Sequence, residues 1–380
     1  MIAAADRESR MTALDQAEPA QRLRALAVRA LARMFRPRER LFAFRLRRDS
    51  GRDVLAGTSR RYTAIALIGL AGEAEETVAA VLAGREPQDV CGRLLGDIER
   101  SEDLGEVALT AWAARALGHP GAAGAVRRLK EMDPVEASFP TVEVSWSLAA
   151  LVCGGLAEAG LAEGVAWRLA ASFRRRPGMF PHWPAGARSP FLRRHVTCFA
   201  DLVYPIQALS HYHRATGDAG ALDVANRCAD SMCDLQGPAG QWWWHFDARV
   251  GRVVERFPVY AVHQDSMAPM ALFALRDAGG RDHADAAARG MAWLTDPPEI
   301  RGSLIDAQAG AIWRKVARHE PGKLVRGLQA AASRLHPALR APGVNALFRP
   351  GWIDYETRPY HMGWILHAWP RAANPGPTAR

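Results

Sequence analysis

The chain has 380 residues, is 49% hydrophobic and 23% charged, and carries a formal net charge of +9. That length exceeds an ordinary single core and calls for two domains or one large closed architecture, while the balanced composition excludes a disordered or fibrous chain. No apolar run is long enough to span a bilayer, and the charged start MIAAADRESRMTALD lacks the apolar core of a signal peptide, so a cytoplasmic protein is expected.

Residues 1–61 hold fifteen arginines against seven acidic residues, and the rest of the chain is close to neutral. Within this basic arm Leu23, Leu26, Ala30, Leu31 and Met34 recur at helical spacing. The spacing predicts an outer helix with a solvated arginine face. A peripheral contact with an anionic membrane is the alternative. Lysine supplies only three of the 49 basic residues, a skew that reads as coding bias, and no nucleic-acid partner is expected. The segment FAFRLRR (42–48) alternates as a strand does.

From there an apolar, small-residue-rich helix recurs six times, over residues 61–70, 105–117, 142–152, 201–213, 266–275 and 358–369. Wetter amphipathic helices are predicted at 124–132, 161–176, 221–235 and 283–294. The first set needs burial on nearly all sides and the second on one. A closed ring of helical hairpins, apolar helices inside, meets both demands, giving an all-α (α/α)6 toroid with a short β-hairpin insertion near the tryptophans. The expected division is a basic arm and outer helix over 1–58, the toroid over 59–370, and a disordered tail over 371–380. Residues 296–357 form a long connection, with amphipathic helices expected at Ile305–Arg318 and Lys323–Leu335 as a sixth outer layer and lid.

The densest stretch runs from Asp234 to Leu275 and contains Trp242, Trp243 and Trp244, then His263-Gln264-Asp265-Ser266. Three adjacent indoles cannot all face one core, so at least one is expected to line a groove. Inner helices of successive hairpins run parallel, so their N-termini meet at one mouth. That mouth gathers Arg60, Tyr62, Glu106, Glu143, Asp201, Tyr204, His263, Asp265, Arg358, Tyr360 and His361. Unpaired helix N–H groups there favour carboxylates and anionic ligands, although Asp201, Glu143 and Asp265 are equally suited to capping.

The arrangement looks like the α/α toroid of many carbohydrate-active enzymes. Gln236-x-x-x-Gly240-x-Trp242 resembles the Gln-Gly-Trp signature of terpenoid cyclases and other toroids, but the Asp-rich acid motif of squalene-type cyclases is absent. The stretch QWWWH to VHQD resembles a signature of uncharacterised bacterial proteins and brings no catalytic role with it. The resemblance implies a carbohydrate-active hydrolase using carboxylate acid/base chemistry on a poly- or oligosaccharide, uronate-bearing ones included. Asp265, Asp201, Glu143 and His361 are the candidate catalytic groups. Trp242, Trp243, Trp244, His263, Gln264, Tyr204, Tyr260, Tyr360, Arg358, Tyr62 and Arg60 are the candidate substrate contacts. Glu255 is set aside as a turn residue. Uronate elimination or epimerisation through an arginine and a Tyr or His base is the alternative chemistry, and a non-catalytic glycan- or protein-binding toroid is the rival role. The five cysteines are scattered without a Cys-x-x-Cys pair, so neither zinc nor disulfides are expected; no cofactor is called for.

Overall fold

The computed structural model describes residues 2–156, 158–184 and 193–371, with side chains from Glu18 onward. The expected disordered tail falls, from residue 372, outside the described residues. The six apolar segments all form helices: Arg60–Leu70, Leu104–Ala116, Thr141–Val152, Ala200–Thr216, Ala268–Asp277 and Pro359–Ala368. We call these the first to sixth inner helices. Each packs on the next, and the sixth returns to the first, closing the ring.

Helices Pro87–Leu95, Ala122–Glu131, Ala159–Ser172, Ala219–Asp234 and Ala284–Thr295 cover the outside. The remaining outer place, against the sixth inner helix, is taken by the N-terminal helix Ile2–Met34. Leu23, Leu26, Ala27, Ala30, Leu31 and Met34 enter the common core, while Arg22, Arg29 and Arg33 face solvent. Arg24 locks this helix down by forking onto buried Glu73 at 2.6 and 2.8 Å and donating to the carbonyls at the end of the sixth inner helix. No helix among the described residues is long and apolar enough to cross a membrane.

Short antiparallel sheets dress the entrance to the ring. Strand Arg45–Asp49 pairs with Arg52–Ala56 on one side and, on the other, with Glu356–Thr357 just before the sixth inner helix. Val196–Cys198, His245–Asp247 and Arg252–Glu255 form a second sheet before the fourth, and Val259–Tyr260, Lys315–Arg318 and Pro350–Asp354 form a third before the fifth. The helix expected over Ile305–Arg318 is therefore strands. Gly310, at φ 60°, turns the chain, and Asp306 accepts from the Ala309 N–H, so the alanine-rich run folds back as a hairpin, Ile305–Asp306 against Ala311–Ile312. The second expected helix is present as Leu324–Leu335. Glu255 lies on a strand, not a turn, and is buried against Arg318 at 3.1 Å.

The fifth inner helix begins earlier than Pro269 suggested, through a π-helical turn at His263–Met267 that runs into Ala268. Proline has no N–H for the carbonyl four residues back. That carbonyl, on Asp265, accepts instead from the Trp369 indole at 2.6 Å.

The first and sixth inner helices touch backbone to backbone at two glycines. A Cβ on Gly69 would sit 2.3 Å from the Gly363 carbonyl oxygen, and one on Gly363 would sit 2.6 Å from the Ile65 carbonyl oxygen. Gly69→Ala or Gly363→Ala must push the helices apart, so each is expected to lower unfolding free energy by about 1–3 kcal/mol. Urea denaturation checks this, with Gly160→Ala as control, because its outer-helix site has nothing within 4 Å of a new Cβ.

Candidate active site

The N-terminal ends of the first, third, fourth, fifth and sixth inner helices line a cavity of about 320 Å³ at one end of the ring, and the second contributes no lining residue. Arg61, Tyr62 and Ile65 come from the first inner helix, Val142 and Trp146 from the third, and Ala200 and Tyr204 from the fourth. His263 and Met267 come from the π turn, Tyr360 from the sixth helix, and Trp244, Tyr260 and Arg314 from the surrounding strands and loops. A second cavity, of about 450 Å³, shares Trp244 and continues over His182, Trp183, Arg193, Cys198, His245 and Arg326. Trp244 thus stands between two parts of one cleft.

Each lining group is held from behind. Ser59 caps the first inner helix by accepting from the Tyr62 N–H, and Arg358 donates to the Tyr62 hydroxyl at 2.8 Å. Arg358 is anchored on Glu356 at 2.6 Å, and Glu356 also takes Arg45 and Arg314. Tyr204 accepts from the Trp364 indole at 2.9 Å. His263 lies between Phe199 and Tyr260, with ring centroids 4.4 and 5.1 Å away. Burial drives its pKa down to about 3, so it acts as an uncharged hydrogen-bonding group. Two buried polar atoms on residues of this cavity, the Trp146 Nε1–H and His263 Nδ1, have no hydrogen-bond partner. Neutral His263 carries one ring proton and gives it to the Trp242 carbonyl, so its Nδ1 is an acceptor. A hydroxyl-bearing ligand seated here suits both, since a hydroxyl accepts and donates.

Of the expected site residues, Tyr62, Tyr204, Tyr260, His263, Tyr360 and Trp244 line the cavity together. Arg60 and Glu106 pair with each other at 2.7 Å outside it, and Arg358 supports Tyr62 from behind. Glu143 is held through Oε1 by Arg61 at 2.7 Å, and Arg61 also binds Asp103, the N-cap of the second inner helix. Asp265 and His361 line neither cavity. They form a buried hydrogen bond at 2.7 Å that ties the start of the fifth inner helix to the sixth, a helix-joining contact where contact with substrate was expected. Trp242 and Gln264 likewise lie in the core, and Trp243, largely buried, lines neither of these cavities but a separate one of about 830 Å³ with Arg252, Arg256 and Arg318. Gln264 exchanges hydrogen bonds with both backbone groups of Trp242, whose ring fills the space over Gly290. Gln236 and Gly240 fasten the same loop to the outer helix Ala284–Thr295.

His182 escaped the sequence reading. It lies in the loop Pro181-His182-Trp183-Pro184, whose flanking prolines and adjacent aromatic are its sole signal. Thr141, at the start of the third inner helix, fixes the loop by donating its N–H to the His182 carbonyl at 3.0 Å and its hydroxyl to that of Pro181 at 2.6 Å. The imidazole Nδ1 donates to both Asp201 oxygens at 3.0 Å, leaving Nε2 for a ligand. Asp201 is fully buried and also accepts from the Thr197 hydroxyl and the Cys198 N–H. Burial alone would lower the His182 pKa, but the hydrogen bond and charge of Asp201 outweigh it and raise it above the ordinary 6.5. His182, Cys198 and Asp201 bring three metal-ligand atoms within 4.8 Å of one another. Asp201 already has three donors, however, and burial with the Asp201 charge holds the Cys198 thiol well above its usual pKa, which favours the hydrogen-bonded network over thiolate ligation. Trp146, Arg314 and Arg326 also carried no signal in the sequence.

No family model matches the sequence, and no curated protein matches it. Solved structures do. An unsaturated glucuronyl hydrolase specific for heparin superposes with a TM-score of 0.59 at 12% identity, over 92% of this chain and 95% of its own. The unsaturated glucuronyl hydrolase of Bacillus sp. GL1, responsible for glycosaminoglycan degradation, gives 0.57 at 13% identity over the same shares. A possible member of the GH105 family from Salmonella enterica serovar Paratyphi A gives 0.56 at 11% identity, over 92% of each chain. At such identities the likeness is one of fold: this chain is an α/α toroid.

The tryptophans separate packing from binding. Trp242→Ala is expected to cost about 3–5 kcal/mol of stability, whereas Trp244→Ala, at a half-buried cleft position, should cost far less and weaken ligand binding instead. Denaturation and calorimetric titration read the two effects. The buried histidines give a pH dependence. His263 is pushed to about 3 and His367 to about 4, chiefly by burial, so between pH 6.5 and 4 the unfolded chain binds protons that the native state refuses. Their stabilisation is present above pH 6.5 and is lost as pH falls. Denaturation midpoints across that window should drop, and His367→Asn should flatten the slope.

Proposed function

We propose that the protein is a hydrolase that cleaves a glycosidic bond in an oligosaccharide bound at the mouth of the ring. The observation that carries this reading is the cavity itself, where flat aromatic faces surround two buried polar atoms, the Trp146 Nε1 donor and the His263 Nδ1 acceptor, that no protein group satisfies. Sugar rings offer apolar faces that stack on aromatics and hydroxyls that accept and donate hydrogen bonds, and this lining offers a partner for each.

Hydrolysis needs a proton for the departing oxygen and a base for the attacking water. His182 is the proton donor in this reading. Asp201 keeps it protonated more readily than a free histidine and aims Nε2 away from itself. Glu143, 15% exposed, held by Arg61 and close enough for its charge to act on His182, is the base. The glycosidic C–O bond breaks, the leaving oxygen takes the His182 proton, water adds to the anomeric carbon, and Glu143 takes the proton that water sheds. Elimination at a uronate fits less well. Burial holds the phenols of Tyr204 and Tyr360 far above their usual pKa, which makes them poor bases.

The test is reducing-sugar release from a panel of neutral and acidic oligosaccharides. Wild type should hydrolyse at least one, while Glu143→Gln and His182→Asn lower kcat by about 10²-fold or more with KM little changed. Because His182 must be protonated, kcat/KM should fall as pH rises through a value above 6.5, and Asp201→Asn should shift that limb downward. A panel neither bound nor cleaved by wild type, or full turnover in both variants, overturns the proposal.

A further inference from the structure

Among the described residues, the second part of the cleft holds a cation with no ion-pair partner. Arg326, on helix Leu324–Leu335, is only 7% exposed. Its guanidinium lies over the Trp244 ring at 4.5 Å and lines the 450 Å³ cavity, and its Nε is buried without a partner. Among the described residues Arg326 makes no ion pair and no hydrogen bond. Glu320, whose charge reaches it, is engaged by the Val325 N–H. The other two buried arginines among the described residues each have a protein partner, Arg318 in Glu255 and Arg168 in the Pro134 carbonyl. A buried unpaired guanidinium is costly, so its retention points to a partner that arrives from outside.

The neighbours agree on the sign of that partner. Arg193 and Lys323 line the same cavity and no carboxylate does. His245, stacked on the other ring at 4.1 Å from Trp244, is kept uncharged, first by burial and then by the Arg326 and Arg193 charges. We infer that this cavity is a subsite for an anionic substituent, carboxylate or sulfate, on the sugar next to the one held at the ring axis, with Arg326 as its recognition residue. Guanidinium is suited to both, since its planar fork meets two oxygens at once while its face stays on the indole. Trp244, common to both cavities, orients the two sugars. The inference rests on the oligosaccharide reading above and narrows the substrate to acidic oligosaccharides.

Calorimetric titration tests it with four probes: a glucuronosyl disaccharide, its neutral glucosyl counterpart, the same neutral disaccharide carrying a sulfate, and inorganic sulfate alone. Wild type should bind an acidic disaccharide at least about tenfold tighter than the neutral one, and the carboxylate and sulfate arms show which group the site prefers. In Arg326→Met that preference should collapse, and Arg326→Lys should recover part of it. The melting temperature of Arg326→Met supplies an independent reading. Removing an unpaired buried charge should leave it equal or raised, whereas loss of a structural arginine would lower it. Equal binding of acidic and neutral disaccharides by wild type, or a preference that survives in Arg326→Met, overturns the subsite and leaves the hydrolase reading standing. Arg326-dependent binding of sulfate with no binding of any disaccharide supports the anion site and removes the oligosaccharide reading.

Discussion

The ring depends on the contact in which Gly69 and Gly363 let the first and sixth inner helices meet backbone to backbone. Five of the six joints between neighbouring inner helices can adjust to side-chain volume; the last must close on whatever gap remains. With no Cβ on either side it closes tightly enough to set Tyr62 and Tyr360 with ring centroids 4.8 Å apart at the mouth. The strand Glu356–Thr357 then reaches the Arg45–Asp49 strand, and Glu356 gathers Arg45, Arg314 and Arg358 behind the cavity wall. One backbone approach in the core therefore fixes the spacing of aromatic and cationic groups at the entrance.

Parallel inner helices also concentrate unsatisfied N–H groups and positive dipole ends at that entrance. The chain answers with carboxylates in or beside the first turns and then covers most of them with arginine, as in Arg60–Glu106, Arg61–Asp103 and Arg358–Glu356. What remains uncovered toward the cleft is aromatic and cationic. The histidines divide accordingly. His263 and His245 are stripped of charge by burial, and His182, backed by Asp201, holds its proton more readily than a free histidine.

The inner helices were legible in the sequence because burial on all sides leaves an apolar run that no surface helix can imitate. The parallel order of hairpins made the mouth legible too, and with it Tyr62, Tyr204, His263 and Tyr360. Partners far apart in the chain were not. Asp265 reads as a catalytic acid until His361, 96 residues on, is seen to occupy it. Which of three tryptophans faces the cleft is decided by Gln264 gripping the backbone of Trp242, a contact without local periodicity. His182 sits in a loop whose position depends on a cap from Thr141, and the run Ile305–Arg318 has helical composition but a glycine that only a turn can use.

One fold hosts many unrelated chemistries, so the α/α toroid alone leaves the reaction open. The choice is made by which groups have no partner within the protein. Structural charges here are satisfied: Asp265 by His361, Glu255 by Arg318, Glu73 by Arg24. Against that background, among the buried side-chain atoms left without a partner, Trp146 Nε1, His263 Nδ1, Arg314 Nε, His245 Nδ1 and Arg326 Nε belong to residues lining the two cavities that meet at Trp244, while others, Trp242 Nε1 and Thr110 Oγ1 among them, lie in the core away from both. His182 opens onto the second cavity with its other nitrogen unclaimed. Unsatisfied polarity in a buried setting is retained at a cost to stability, and at the cavity residues, unlike those in the core, a ligand can reach and relieve it.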